Sequence, residues 1–289
     1  MSRRRYWREL RRDPVTVVAF GVILTLLGLA VFYPTAIGAN AYDAGRAHLL
    51  DRLQSPSWLG GRGGLLGTDS IGRGLFLRIV FGLRTSFLVA FIATCVAALI
   101  GATVGITSGY LGGKSDSIMM RFTDVYLAMP GLLLIMTVVR VAGSGKWTLA
   151  LLLALVTWPV FARVMRGPVL SMRSSDLVLA SQGFGASARH VLLKHVVPNT
   201  LVPLVALSAI EFSRLLLAEA ALSFLGFGIQ SPDVSLGLIL SEGRDYLETA
   251  WWISTFAGLF LAAMALSISL IGTWLRQVMD PAGSRDRRG

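Results

Sequence analysis

Residues 85–109, TSFLVAFIATCVAALIGATVGITSG, form an apolar run without a charged side chain. An α-helix rises 1.5 Å per residue, so about 20 apolar residues cross the hydrocarbon core of a bilayer. Residues 15–37 and 249–275 form two more uncharged runs of sufficient length. These three runs predict membrane-spanning helices, and we expect an integral membrane protein.

Three weaker apolar runs complete the pattern, at residues 118–141, 147–168 and 199–222, and each contains ionisable residues. Pro130 and Pro159 lie inside the first two, which helix bundles tolerate when neighbouring groups satisfy the freed backbone atoms. The sequence therefore predicts an all-α integral membrane protein with about six transmembrane helices.

The composition supports this class. The chain has 289 residues, of which 54% are hydrophobic and only 15% are charged, too apolar a content for an ordinary soluble domain. Its net charge of +11 could suggest nucleic acid, but the arginines cluster at the ends of apolar runs, as membrane orientation requires. The single cysteine, Cys95, excludes an intrachain disulfide and a cysteine-based metal site.

The distribution of arginine and lysine predicts the orientation. An even number of spans places both termini on one side, together with the loop after the fourth span, and all three are basic. We expect this side to be the cytoplasm, with cytoplasmic tails at residues 1–14 and 276–289 and a transmembrane core at 85–275. The first run is too long for a cleaved signal core, so residues 15–37 are expected to stay as a helix.

Residues 38–84 are expected to be external, although their arginine excess disagrees with the charge rule. Within them, Leu66-Gly67-Thr68-Asp69 followed by Gly72-Arg73-Gly74 predicts a glycine-rich turn. Residues 75–82 fit a helix lying at the membrane interface, and a solvated connector fits them equally well.

Residues 174–199 form a polar segment between the fourth and fifth spans. Ser174-Ser175-Asp176 and Ser187 are candidate helix caps, and Gly183 and Gly185 predict a corner between two short helices. A transporter that uses ATP without its own nucleotide site must receive motion through such an element. From physical reasoning alone, coupling to an ATPase and a passive interfacial loop both remain open.

The segment resembles the EAA loop of bacterial ABC-importer permeases, more narrowly that of the second permease of the dipeptide, oligopeptide and nickel group. The residues that carry the loop resemblance are Leu179, Ala180, Ser181, Gly185, Ala186, Ser187, His195, Pro198 and Asn199. Further segments match the group in order: the external turn, residues 109–130, residues 219–226, Leu275-Arg276 and Asp280-Pro281.

This resemblance implies a type I ABC-importer permease fold in the bacterial inner membrane. It implies transport of a solute, most often a peptide, with a homologous second permease, two cytoplasmic ATPases and an external solute-binding protein as partners. Two loop positions depart from the pattern, because the eponymous glutamate is Leu179 and the second alanine is Ser181. The loop is therefore expected to act by shape rather than through a carboxylate at position 179.

The chain itself is expected to be neither an enzyme nor a nucleotide-binding protein. Residues 109–115 end in Gly-Lys-Ser, but only three residues separate Gly109 from Gly113, whereas a phosphate-binding loop has four there. We expect ATP and magnesium on the partner ATPases, and no cofactor, metal or catalytic residue in this chain. His190 and His195 are five residues apart, which is not the spacing of a helical metal pair.

Ionisable residues within the fifth span are a second candidate site, since charged groups in hydrocarbon usually face a partner or an aqueous path. Glu211 and Arg214 are expected to pair on one helix face, either bridging two permeases or lining the path. Glu219 is expected near the outer surface. The alternative function is an ion-gradient-driven carrier, for which inverted repeats and broken helices would be typical.

Overall fold

The computed structural model describes residues 13–37 and 49–279, and this part of the chain is helical, with one isolated β-bridge between Thr68 and Gly74. We number its α-helices in chain order: α1 Pro14–Ile37, α2 Leu75–Leu111, α3 Gly113–Ala128, α4 Gly131–Ala142, α5 Lys146–Arg173, α6 Asp176–Gly183, α7 Ala188–Val191, α8 Val197–Phe224, α9 Leu236–Gly243 and α10 Trp252–Met279. A π-helical turn, Leu192–Val196, joins α7 to α8.

Five helical segments in the described ranges are long and apolar enough to cross a membrane: Pro14–Pro34, Leu75–Leu111, Lys146–Arg173, Ala188–Phe224 and Trp252–Val278. The pair α3 and α4 passes the same test when taken together, with a bend of 80° between the two helices. The prediction of an all-α membrane protein with about six spans is confirmed, and the broken pair accounts for the sixth.

The first span begins at a cap formed by Asp13. Its carboxylate accepts hydrogen bonds from the backbone N–H groups of Val15 and Thr16, at 3.2 and 3.4 Å, and from the Thr16 hydroxyl at 2.6 Å. These donors, the hydroxyl foremost, hold the pKa of Asp13 below its ordinary value. The cap satisfies backbone donors that the first helical turn would otherwise leave unpaired.

Helix α2 begins ten residues before the predicted span, at Leu75. Residues 75–82 are therefore the first turns of one continuous helix with the predicted span, and neither a separate helix nor a connector. Leu75 and Ile79 are fully buried and Arg78 is 1% exposed. Protein rather than water surrounds this end of α2, because α9 and the loop before α2 pack around it.

Helices α2 and α5 pack closely along most of their length. A Cβ atom added at Gly101 would lie 2.3 Å from the Trp158 carbonyl oxygen, and one at Gly105 would lie 2.4 Å from that of Ala162. Small residues four apart allow membrane helices to approach to this distance. Gly101 and Gly105 thus allow the backbones of α2 and α5 to come into direct contact.

The break between α3 and α4 lies beside the middle of α5. Met129 is extended, Pro130 lacks a backbone N–H, and both residues are exposed. A Cβ atom at Gly131 would lie 2.4 Å from Cγ1 of Val156, which places the break next to that residue. The predicted run 118–141 is therefore two helices meeting at an angle, since Pro130 ends the first instead of being accommodated in one rod.

Candidate functional site

The first candidate site is the segment at residues 174–199, which we call the coupling segment. Helix α6 ends at Gly183, and Gly185 adopts φ +82°, a conformation that side chains other than glycine rarely take. The backbone N–H groups of Phe184 and Ala186 donate to the carbonyl oxygens of Ala180 and Ser181, at 3.0 and 3.1 Å. The chain reverses direction here, as its glycines predict.

The two candidate caps behave differently. The Ser187 hydroxyl accepts from the His190 backbone N–H at 3.3 Å and begins α7, as predicted. The Ser175 hydroxyl instead donates to the Met172 carbonyl oxygen at 2.7 Å. It completes the end of α5 rather than capping α6, because the two helices follow each other with almost no linker.

A small apolar cluster supports the coupling segment from beneath. Val169 of α5, Val178 of α6, Val191 and Val196 are each fully buried and contact one another. The Tyr110 hydroxyl donates to the Ala188 carbonyl oxygen at 3.2 Å and ties the segment to the end of α2. The segment is therefore packed on the transmembrane core.

The coupling segment exposes several large apolar side chains. Phe184, between two glycines at the corner, is 93% exposed, and Leu177, Leu179 and Leu193 are each more than half exposed. Sequence reasoning did not select Phe184, although a large apolar residue flanked by glycines is a usable signal.

The other predicted residues of the segment are distributed along it. Ala180 and Ser187 are exposed, and Ser181 and Ala186 are partly exposed around the corner. Pro198 and Asn199 lie in the first turn of α8, where the Asn199 amide donates to the His195 carbonyl oxygen at 2.6 Å.

A buried carboxylate holds the helices directly above the coupling segment. Asp116 of α3 accepts from Nε and Nη2 of Arg166 in α5, at 2.7 and 2.5 Å, and from the hydroxyl of Ser108 in α2. A bidentate arginine contact of this kind fixes orientation as well as distance. Three helices therefore meet at one point above the predicted ATPase-facing surface.

The charged residues of the fifth span fall into two environments. Arg214 Nη1 donates to Glu211 Oε1 at 2.9 Å, which agrees with the predicted pairing, and the Arg214 side chain is 69% exposed. Glu219 is fully buried one turn before the end of α8 and accepts from the Ser223 hydroxyl at 2.7 Å. Only Arg214 can thus reach a partner or a path from this arrangement.

The external turn closes a second polar cluster at the opposite end of α2. Asp69 accepts from Nε of Arg73 at 2.6 Å and from Nη1 of Arg78 at 2.8 Å. The Arg78 guanidinium also contacts Glu242 of α9 at 2.5 Å, and the Trp252 indole donates to the Thr68 carbonyl oxygen at 3.2 Å. This cluster joins the turn to α9 and α10.

Among residues 13–37 and 49–279, no group of three or more histidine, cysteine, aspartate or glutamate side chains is placed to hold a metal ion. The rings of His190 and His195 lie 6.2 Å apart at the coupling segment, and neighbouring Arg189 and Lys194 make this surface basic. His48, Asp280 and Pro281 lie outside the described residues.

Comparison with known proteins identifies the class. Residues 101–284 match the model of the family described as binding-protein-dependent transport system inner membrane component, and the chain belongs to this family. It is therefore the membrane permease subunit of an ABC importer, a transport component rather than an enzyme. Such a permease works with ATPase and binding-protein partners, and the chain is a multi-pass membrane protein.

Individual relatives narrow the resemblance. The chain is 37% identical over 278 residues to the dipeptide transport system permease protein DppC of Escherichia coli K12, covering 96% of this chain and 92% of that one. It is 31% identical over 282 residues to the DppC protein of Alkalihalophilus pseudofirmus, covering 95% and 90%. The expected resemblance to this group of permeases is confirmed.

Solved structures agree on the fold. An inward-facing structure of the methionine ABC transporter MetNI matches with a TM-score of 0.57 and 20% identity, covering 71% of this chain and 96% of that one. The expected importer-permease fold is confirmed. Because the chain is the permease subunit of an ABC importer, the broken helix pair α3–α4 is no argument for an ion-gradient-driven carrier.

Proposed function

We propose that this chain carries short peptides across the bacterial inner membrane, after an extracytoplasmic binding protein delivers them. The basic coupling segment lies on the cytoplasmic side together with both termini. ATP and magnesium bind to partner ATPases, and the chain pairs with a homologous second permease. The dipeptide permeases among its relatives support the choice of solute.

One observation carries the role of the coupling segment: the apolar corner at Phe184 projects from a segment that is itself packed on the core. A side chain that is 93% exposed and has no intramolecular packing function is available to a partner. The valine cluster beneath it would transmit a push from that partner to α5 and α8. The missing glutamate at Leu179 fits this account, since apolar contact and shape need no carboxylate.

The second permease is proposed from the α8 surface. Arg214 is largely exposed within a membrane span, and a charged group at that depth is costly when it faces lipid. A second permease, or the path between the two, would cover it. Both interpretations of the Glu211–Arg214 pair, a bridge between the two permeases and a lining of the path, fit this arrangement.

Copurification of ATPase subunits with tagged chain, co-expressed with its natural neighbours, tests the proposal. We expect Phe184→Asp to abolish copurification and uptake of radiolabelled dipeptide without lowering the amount of folded permease. Leu50→Asp is the matched control, because Leu50 is 94% exposed at the far end of the molecule. Retention of ATPase by the Phe184→Asp variant would show that this corner is not the docking element.

The solute is tested separately. Labelled dipeptide, nickel complex and oligosaccharide are offered to cells that carry the complete transporter or lack this chain. We expect uptake of the dipeptide alone to depend on the chain. Chain-dependent uptake of one of the other two, with none of the dipeptide, would overturn the choice of solute while leaving the docking result intact.

A further inference from the structure

An exposed ion pair lies within membrane depth on the α3–α5 surface. Arg163 Nη2 donates to Asp124 Oδ1 at 2.5 Å, and the two side chains are 57% and 61% exposed. Arg163 directly follows Ala162, which packs against Gly105 inside the apolar run 85–109. The pair therefore lies alongside the apolar run of α2 and not beyond its end.

Neither lipid nor a sealed protein interface suits this pair. A charged side chain that faces lipid at the centre of a membrane helix is strongly unfavourable. Sealing both groups in an interface would remove the water that each still contacts, and the desolvation of two ions opposes such burial. A water-filled passage lets Asp124 and Arg163 keep their hydration.

The break between α3 and α4 points to the same surface. Met129 and Pro130 are exposed, and non-helical backbone at membrane depth is tolerated only when protein buries it or when it lines a water-filled cavity. The break lies beside Val156, and Arg163 follows seven residues later on α5, two helical turns along one face. The break and the ion pair thus form one surface, which we call the path strip: Asp124, Met129, Pro130 and Arg163.

An open groove elsewhere in the described part of the chain offers a contrast. It has a volume of about 800 Å³, lies mainly between α2 and α8, and is lined largely by apolar residues such as Phe91, Leu99 and Leu201. Such a surface suits lipid tails or another apolar helix. A polar solute would gain little there, so the path strip is the better candidate for solute contact.

We propose that the path strip lines the translocation path and that Asp124 and Arg163 contact the charged ends of a zwitterionic solute as it passes. This deepens the proposed function and rests on it. The carboxylate complements an ammonium group and the guanidinium complements a carboxylate. Asp124 and Arg163 already pair with each other, so a solute that binds must replace this ion pair. The net gain on binding is therefore small, and the solute can be released.

Thiol labelling of the assembled transporter tests the proposal. Cys95 is the only cysteine of the chain, so Cys95→Ala makes this subunit free of thiols, and labelling is measured on this subunit after the subunits are separated. Met129→Cys and Arg163→Cys are then added separately and exposed to a charged, membrane-impermeant methanethiosulfonate reagent. Leu266→Cys is the matched control, since Leu266 is 63% exposed on the apolar surface of α10. Met129→Cys leaves the ion pair intact and covers the case in which Arg163→Cys fails to fold.

We expect both path-strip variants to react at least about tenfold faster than Leu266→Cys, because only an aqueous surface admits the charged reagent. Dialanine, delivered by the binding protein, should slow the reaction, and N-acetyl-dialanine amide, which has no charged end, should not. Rates equal to the control, or a disulfide to a cysteine placed in the partner permease, would overturn the proposal. Failure of the proposed function is distinguishable, since the Cys95→Ala parent would then lack ATPase association or dipeptide uptake.

Discussion

Arg78 and Asp69 form an ion pair at 2.8 Å in which the two side chains are 1% and 2% exposed. Asp69 lies within the glycine-rich turn, and Arg78 follows it by nine residues in the first turn of α2. The same guanidinium reaches Glu242, which follows it by 164 residues. One buried arginine therefore joins the start of α2, the external turn and α9.

Removing the charge of Asp69 should destabilise this end of the molecule. Asp69→Asn removes one of the two carboxylates that contact Arg78 and leaves Glu242 in place, so the loss of one charged hydrogen bond costs roughly 1.5–3 kcal/mol. We expect a clearly lower melting temperature of the purified protein in detergent. The control is Asp51→Asn, because Asp51 is exposed on the same loop. Equal melting temperatures for the two variants would show that the pair contributes little.

The close approach of α2 and α5 predicts a different stability effect. Gly105→Ala would place a methyl group 2.4 Å from the Ala162 carbonyl oxygen, so the helices must move apart, at a cost of roughly 1–3 kcal/mol. Gly28→Ala in α1 meets no atom within 4 Å and should be neutral or stabilising by about 0.5–1 kcal/mol. Thermal unfolding of both variants in detergent checks the difference in sign.

The corner of the coupling segment can be tested without changing its charge. Gly185→Ala has free space for its methyl group, but φ +82° costs a residue with a Cβ atom about 1–2 kcal/mol. We expect dipeptide uptake to fall severalfold as the corner reshapes, with little change in melting temperature. Gly183→Ala, two residues earlier and without this backbone constraint, should transport normally. Equal uptake by the two variants would contradict a role for the corner geometry.

Glu219 and Glu211 should respond oppositely to neutralisation. Glu219 is fully buried and, among the described residues, has no partner for Oε2, so Glu219→Gln keeps the Ser223 contact and removes a costly charge. We expect its melting temperature to stay level or rise. Glu211→Gln removes the counterion of Arg214 and should lower it. A loss of stability in Glu219→Gln equal to that in Glu211→Gln would mean that the Glu219 charge is needed.

The parts of the fold predictable from sequence were those set by local composition. The spans at residues 15–37 and 249–275 could be predicted because the transfer of a helix into lipid depends on the apolar residues of that helix itself. The caps and corners at Gly185 and Ser187 likewise depend on neighbouring residues, and both were predicted.

Other features depend on distant partners and could not be predicted. The first turns of α2 looked interfacial because Arg78 is charged, and its partner Glu242 is 164 residues away. The break at Pro130 was expected to be absorbed in one helix, and the packing of Gly131 on Val156 is a tertiary contact. Phe184 was overlooked because an exposed aromatic residue has meaning only once its exposure is known.

The second half of the coupling segment continues directly into the fifth span. Residues 188–224 form one helical rod of 37 residues, about 55 Å long. At the far end, the Ser241 hydroxyl of α9 donates to the Phe224 carbonyl oxygen at 2.8 Å. A tilt of about 10° applied at the corner would displace this far end by about 10 Å over that length. Residues 188–224 thus form a lever arm between the corner and α9, and the π-helical turn at Leu192–Val196 lies near the end where the push is applied.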